Sequence, residues 1–266
     1  MTRSAPFSFE QHCDAIGYAA EQLCGAATSA GLEAAVPTCP EWSVRDLLAH
    51  LGMVHRWARA HVTGDRAAQE VTTVLATETE GQGVVDPVSW LRDGATALVA
   101  ALHDAPADLQ ALVFLKDAPS PRDFWARRQC HETTVHAVDA LSAALGRLPT
   151  AQEAARVGVS PALALDGIDE LLTGFLPRRS SRLRSERPLR LAVRPADADL
   201  MWTVEVGEEP PVTTRHTSSS AADADATFSG TSAQLYLGLW NRGDELVADD
   251  AEVIRRWREA VQVSWS

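Results

Sequence analysis

The sequence predicts an α plus α+β protein, an N-terminal four-helix bundle followed by a small α+β domain, and three observations carry that prediction. Long alanine- and leucine-rich stretches with apolar residues three and four apart fill the first part of the chain. Beyond an arginine-rich stretch at 176–188 the texture changes to short apolar or alternating runs set between turn residues. The length of 266 residues suits two modest domains, each able to bury its own core. The expected division gives a bundle domain over residues 1–178 and an α+β domain over 188–266.

The four bundle helices are expected at 8–30, 43–63, 88–105 and 122–146. Ser43 and Asp46 make a capping-box-like start after Pro40, and Gly64 stops the second helix. Pro106 follows the third, and Gly146 with Pro149 stops the fourth. Loops of moderate length between them imply a bundle. A fifth helix is expected at 161–175, before Pro177. Strands follow at 189–193, 201–206 and 224–228, then helices at 232–241, with Gly243 behind it, and 251–263. The Ser, Ala and Asp run at 217–226 reads as a surface loop.

Composition narrows the function. Hydrophobic residues at 45% and charged residues at 23% are those of a folded globular chain. A formal charge of −12 argues against nucleic acid or an acidic membrane surface as partner, because a polyanion needs a net basic face. Arg178, Arg179, Arg182, Arg184 and Arg187 read as a solvated interdomain connection. Residues 1–10 carry no apolar signal core and no 18 apolar residues run together, so a cytoplasmic location is expected. Cys13, Cys24, Cys39 and Cys130 show neither a C-x-x-C pair nor zinc-ribbon spacing, and read as structural thiols. The nucleophile elbow, the P-loop and the dinucleotide fingerprint are all absent from the sequence.

One constellation remains. Glu132, His136 and Asp139 are spaced four and three apart, so at about 100° per residue they project within a sector of roughly 60° on one helical face. Phe124, Val135, Val138, Leu141 and Leu145 fall mainly to one flank and the far side, so this polar stripe is expected to lie apart from the main core contact. A carboxylate and an imidazole four apart can share one divalent ion. A third ligand must come from another helix, and His50 sits at the flank of the Val44, Leu47, Leu48 and Leu51 stripe. Three protein ligands would leave positions open for water or substrate. Spacing alone favours the plainer alternative, a solvated face on which Arg128 pairs with Glu132 and Glu132 with His136. His50 is likewise open to reading as a satisfied boundary histidine, and Asp46 is explained by capping.

The segments Val36-Pro37-Thr38-Cys39-Pro40-Glu41-Trp42-Ser43-Val44-Arg45-Asp46-Leu47-Leu48-Ala49-His50-Leu51, His131-Glu132-Thr133-Thr134-Val135-His136-Ala137-Val138-Asp139-Ala140 and Asp166-Gly167-Ile168-Asp169-Glu170-Leu171-Leu172 resemble the mycothiol-dependent maleylpyruvate isomerase family. Asp225-Ala226-Thr227-Phe228-Ser229-Gly230 and Leu235-Tyr236-Leu237-Gly238-Leu239-Trp240-Asn241-Arg242-Gly243 resemble its C-terminal domain. The resemblance implies a DinB-like bundle whose metal triad is His50, Glu132 and His136. It matches Asp139 to an acidic residue beyond the pair, able to orient a ligand, and Arg242 to an arginine beside the metal cleft. It implies a divalent metal ion, zinc first, and mycothiol as cofactors, with a low-molecular-weight thiol and a small organic substrate as partners. The metal would favour the thiolate. That thiolate would add to a cis double bond conjugated to carbonyls, allow rotation and leave, or attack an electrophile and stay attached. A non-catalytic binding module of the same fold and a thiol-independent metal hydrolase are the alternatives.

Overall fold

Polar side chains cap the starts of the long helices and glycines close three of them in this computed structural model, which describes residues 7–217 and 223–262. The chain forms two compact units. The first takes Ser8–Val113 and Ala118–Gly158. Its α1 (Phe9–Ala30) opens on a Ser8/Gln11 capping box. A two-stranded antiparallel hairpin follows, β1 (Ala35–Val36) with β2 (Cys39–Ser43), and runs directly into α2 (Val44–Thr63). A Ser43/Asp46 capping box starts α2, and Gly64 ends it at a φ of 74°, where a side chain would be strained. The short α3 (Arg66–Gln69) and α4 (Val71–Gly83) precede α5 (Pro87–Asp104) and α6 (Pro121–Leu145). The unit closes with α7 (Ala151–Ala154) and a 3-10 turn.

The four long helices fall within a residue of the expected spans. α1 packs along α5 and α6, while α2 packs on α4, α5 and α6. The polar stripe expected to lie apart from the core lies within it. Every residue from Arg128 to Asp139 is buried, because neighbouring helices and the β1–β2 hairpin enclose the middle of α6 on all sides.

The second unit takes Phe114–Asp117 and the chain from Val159 onward. In it α8 (Pro161–Asp169) continues as a π-helical turn, Glu170–Phe175. β3 (Leu189–Pro195), β4 (Met201–Val206), β5 (Val212–His216), β6 (Ala226–Gly230) and β7 (Val247–Ala248) form one sheet in the order β5-β4-β3-β6-β7, with β3 and β6 parallel and the other pairs antiparallel. α9 (Ser232–Leu239) packs on α8 and the sheet, and α10 (Ala251–Ala260) follows β7. Buried Trp202, Tyr236, Phe228 and Trp257 fill the core. The indoles find acceptors, Trp202 at Asp169 (3.0 Å) and Trp257 at the Leu239 carbonyl (3.0 Å).

The division between units differs in place from the sequence expectation of residues 178–188. The fifth helix packs with the sheet unit, held by Trp202 and Arg215 on Asp169 and by the Trp240 indole on the Gly167 carbonyl. The expected loop at 217–226 lies partly, and residue 263 of the last helix lies wholly, outside the described residues. Among the described residues no helix is long and apolar enough to cross a membrane.

Candidate metal centre

The Ser43/Asp46 box fixes where α2 begins, and one turn beyond Asp46 stands His50. Pro121 at the first turn and the Ser120 cap start α6 so that Glu132 and His136 sit mid-helix, facing α2. Glu132 Oε1 lies 3.2 Å from His136 Nε2 and 3.7 Å from His50 Nε2. One donor atom from each of the three residues lies within 4.8 Å of the others, and all three residues are buried. Two donors at ~2.1 Å from one ion in tetrahedral geometry stand about 3.4 Å apart. The two measured separations bracket that value, so the residues present fit a divalent cation of the zinc type.

Carboxylates stand behind both imidazoles. Asp139, with no exposed surface, accepts from His136 Nδ1–H at 2.8 Å and from the Cys39 thiol at 3.6 Å. Glu78 Oε1 on α4 faces His50 Nδ1 at 3.8 Å. Arg128, 2% exposed, donates to Glu132 Oε2 at 3.3 Å, which leaves Oε1 toward the imidazoles. Trp42, at the end of β2, lies against both rings, 4.7 Å from His50 and 5.8 Å from His136 between centroids.

Burial would raise the Glu132 carboxyl, but hydrogen bonds from His136 and His50 and the Arg128 charge hold it well below the usual carboxylate range. Burial would lower His136, yet its bonds to Asp139 and Glu132 push it up to about 9. With both imidazoles neutral, as metal ligands must be, Glu132, Asp139 and Glu78 against Arg128 are three negative charges and one positive, a surplus of two. A divalent cation between the imidazoles would neutralise it. Burial pushes the thiols of Cys13 up to about 12 and Cys24 up to about 11, so neither is a ready nucleophile.

The structure therefore brings His50, Glu132, His136 and Asp139 together. The Arg128–Glu132 and Glu132–His136 pairs of the plainer alternative are present too, but inside the bundle. Arg242 belongs to the other unit. It follows Asn241, whose φ of 60° ends α9 in a Schellman turn, with Arg242 N–H bonded to the Leu237 carbonyl at 2.7 Å. Arg242 thus stands past the last helical turn, and its Nη1 donates to the Trp240 carbonyl at 3.0 Å. Glu78 and Trp42 were given no role by the sequence. Glu78 rides on α4, whose Thr- and Glu-rich run lacks an apolar stripe to announce it.

Two family models match the chain: the mycothiol maleylpyruvate isomerase N-terminal domain over residues 13–141, and the MDMPI C-terminal domain over residues 162–256. Among solved structures it is similar to the crystal structures of the mycothiol-dependent maleylpyruvate isomerase and of a histidine-to-alanine mutant of it. Each has a TM-score of 0.62 and 11% identity, covering 94% of this chain and 96% of that chain. At that identity the likeness is one of fold. A search of curated protein sequences finds no match.

Proposed function

Because the chain belongs to the mycothiol-dependent maleylpyruvate isomerase family, we propose that it is an enzyme in which His50, Glu132 and His136 hold one divalent cation, zinc first, to activate mycothiol toward a small unsaturated or electrophilic acid. The observation that carries this reading is the convergence of three buried donors from two helices at the spacing one ion requires. When bound, the cation would take the thiol sulfur and favour its thiolate near neutral pH.

The chain's own residues set the terms of that chemistry. Asp139 holds the proton of His136 at Nδ1, which leaves Nε2 as the ligand atom. Arg128 holds one oxygen of Glu132, so the other serves the ion alone. Trp42 lies against both imidazoles and gives the site an apolar wall. Arg242 is assigned to a substrate carboxylate, for which a planar guanidinium offers two parallel donors. The reaction belongs in the cytoplasm, where small thiols are kept reduced.

Isomerisation and S-transfer share this site and differ in what becomes of the thiol. Incubation of the zinc-loaded protein with mycothiol and maleylpyruvate tests the reading. Trans product formed in many-fold excess over the thiol marks an isomerase, and loss of one thiol per product marks a transferase. Turnover that proceeds equally without thiol would replace both with a metal hydrolase.

A further inference from the structure

We propose that Glu78 is a positioning residue of the metal centre, the carboxylate that orients His50 as Asp139 orients His136; this rests on the metal reading above. α4 is not one of the four long helices, yet it is fastened along α2. Trp90 wedges between the two helices where both are glycine: a Cβ at Gly52 would stand 2.1 Å from its ring, and one at Gly81 2.7 Å from the ring and 3.0 Å from the Ala49 Cα. The Arg56 guanidinium covers that ring at 3.7 Å and donates to the Gly52 and Trp90 carbonyls, both at 2.9 Å. Gln82 donates to Asp46 at 2.8 Å, and Arg45 reaches the Gln82 and Val84 carbonyls at 3.4 Å.

These contacts set an antiparallel register in which Gln82 meets Asp46. One turn back on α4 is Glu78, and one turn on along α2 is His50, so the register delivers Glu78 Oε1 to 3.8 Å from His50 Nδ1. His136 Nδ1 has Asp139 in the equivalent place. Both rings thereby turn Nε2 toward the same oxygen, Glu132 Oε1. An imidazole that ligates through Nε2 is fixed in tautomer and angle by a carboxylate at Nδ1–H. At 3.8 Å the two atoms stand just beyond hydrogen-bond distance. A cation on Nε2 makes Nδ1–H a stronger donor, and Glu78, 37% exposed, has the freedom to close on it.

The test is a zinc titration against a competing chelator for the wild type, Glu78→Gln and Glu78→Ala, with thermal unfolding of each metal-free protein and 15N-imidazole spectra of each zinc-loaded one. The expected result is affinity about ten-fold weaker in E78A. E78Q, which keeps an acceptor oxygen in the same shape, falls between, and the three metal-free proteins unfold alike. The His50 Nδ1–H signal persists in the wild type and E78Q and is lost to solvent exchange in E78A. Unchanged affinity or an unchanged His50 signal in E78A overturns the assignment and leaves the triad standing. A wild type that binds no zinc overturns the triad, and this assignment with it.

Discussion

Replacing Asp139 with Asn removes the charge behind His136 and keeps the size of the side chain. The side chain is wholly buried, and the amide is of the same size. Its oxygen at the Oδ2 position still accepts from His136 Nδ1–H (2.8 Å) and from the Cys39 thiol (3.6 Å), so the fold is retained. What disappears is the negative charge that makes the imidazole a stronger ligand. Outer carboxylates of this kind are worth roughly 10- to 100-fold in metal affinity, or about 1.4–2.7 kcal/mol. The short contact and full burial place Asp139→Asn toward the upper end. Zinc affinity measured by chelator competition should fall by about that factor, while the circular dichroism spectrum stays that of the wild type. Affinity within two-fold of the wild type would refute the reasoning that the Asp139 charge supports His136 as a ligand.

Other perturbations follow from the same geometry. Gly52→Ala puts a methyl 2.1 Å from a Trp90 ring that Arg56 pins. Overpacking of about 1–3 kcal/mol should therefore exceed the helix-propensity gain of ~1 kcal/mol, and the unfolding temperature should drop. Gly17→Ala in α1, with nothing within 4 Å, should raise it, and equal shifts from the two variants would contradict the packing account. Thr133 donates its hydroxyl to the Gln129 carbonyl at 2.7 Å, so His55 Nε2–H is the donor in their 2.9 Å bond and His55 is buried neutral. Burial pushes its pKa down from 6.5 to about 3. Between those values the unfolded chain binds the extra proton, so stability falls as pH falls through that window, by up to ~1.4 kcal/mol per pH unit. Urea unfolding of His55→Gln should show a pH dependence shallower by about one proton, and identical slopes would count against a neutral His55. Arg242→Lys should cost roughly 10- to 100-fold in kcat/KM toward a carboxylate substrate with metal affinity unchanged. An unaltered kcat/KM would remove Arg242 from substrate binding.

The long helices were legible because caps and apolar spacing agreed. Ser43 with Asp46, Gly64 and Gly146 stand where the chain enters or leaves a helix. Strands β3, β4 and β6 showed themselves as apolar runs, whereas β5, Val212–His216, is a largely exposed edge with no alternation to read. Two-residue strands such as β1 and β7 exist only through their partners. The His50, Glu132 and His136 set followed from a resemblance, since spacing alone gave the two helix faces and no means of telling that they meet. Burial was misjudged for a related reason. α6 is enclosed on all sides, so its polar residues trace no solvent face, and periodicity cannot distinguish an interior ion site from a surface stripe. Glu78 was out of reach because its position depends on Trp90 seated against Gly52 and Gly81, a contact between three segments.

One ion shared by two helices underlies the proposed chemistry, and metal stoichiometry is its sharpest test. Chelator-stripped protein, dialysed against zinc and analysed by elemental spectroscopy, should hold one equivalent, and His50→Ala, Glu132→Ala and His136→Ala should each hold far less at the same free zinc. A wild-type protein that acquires none, or three variants that retain a full equivalent, would contradict it.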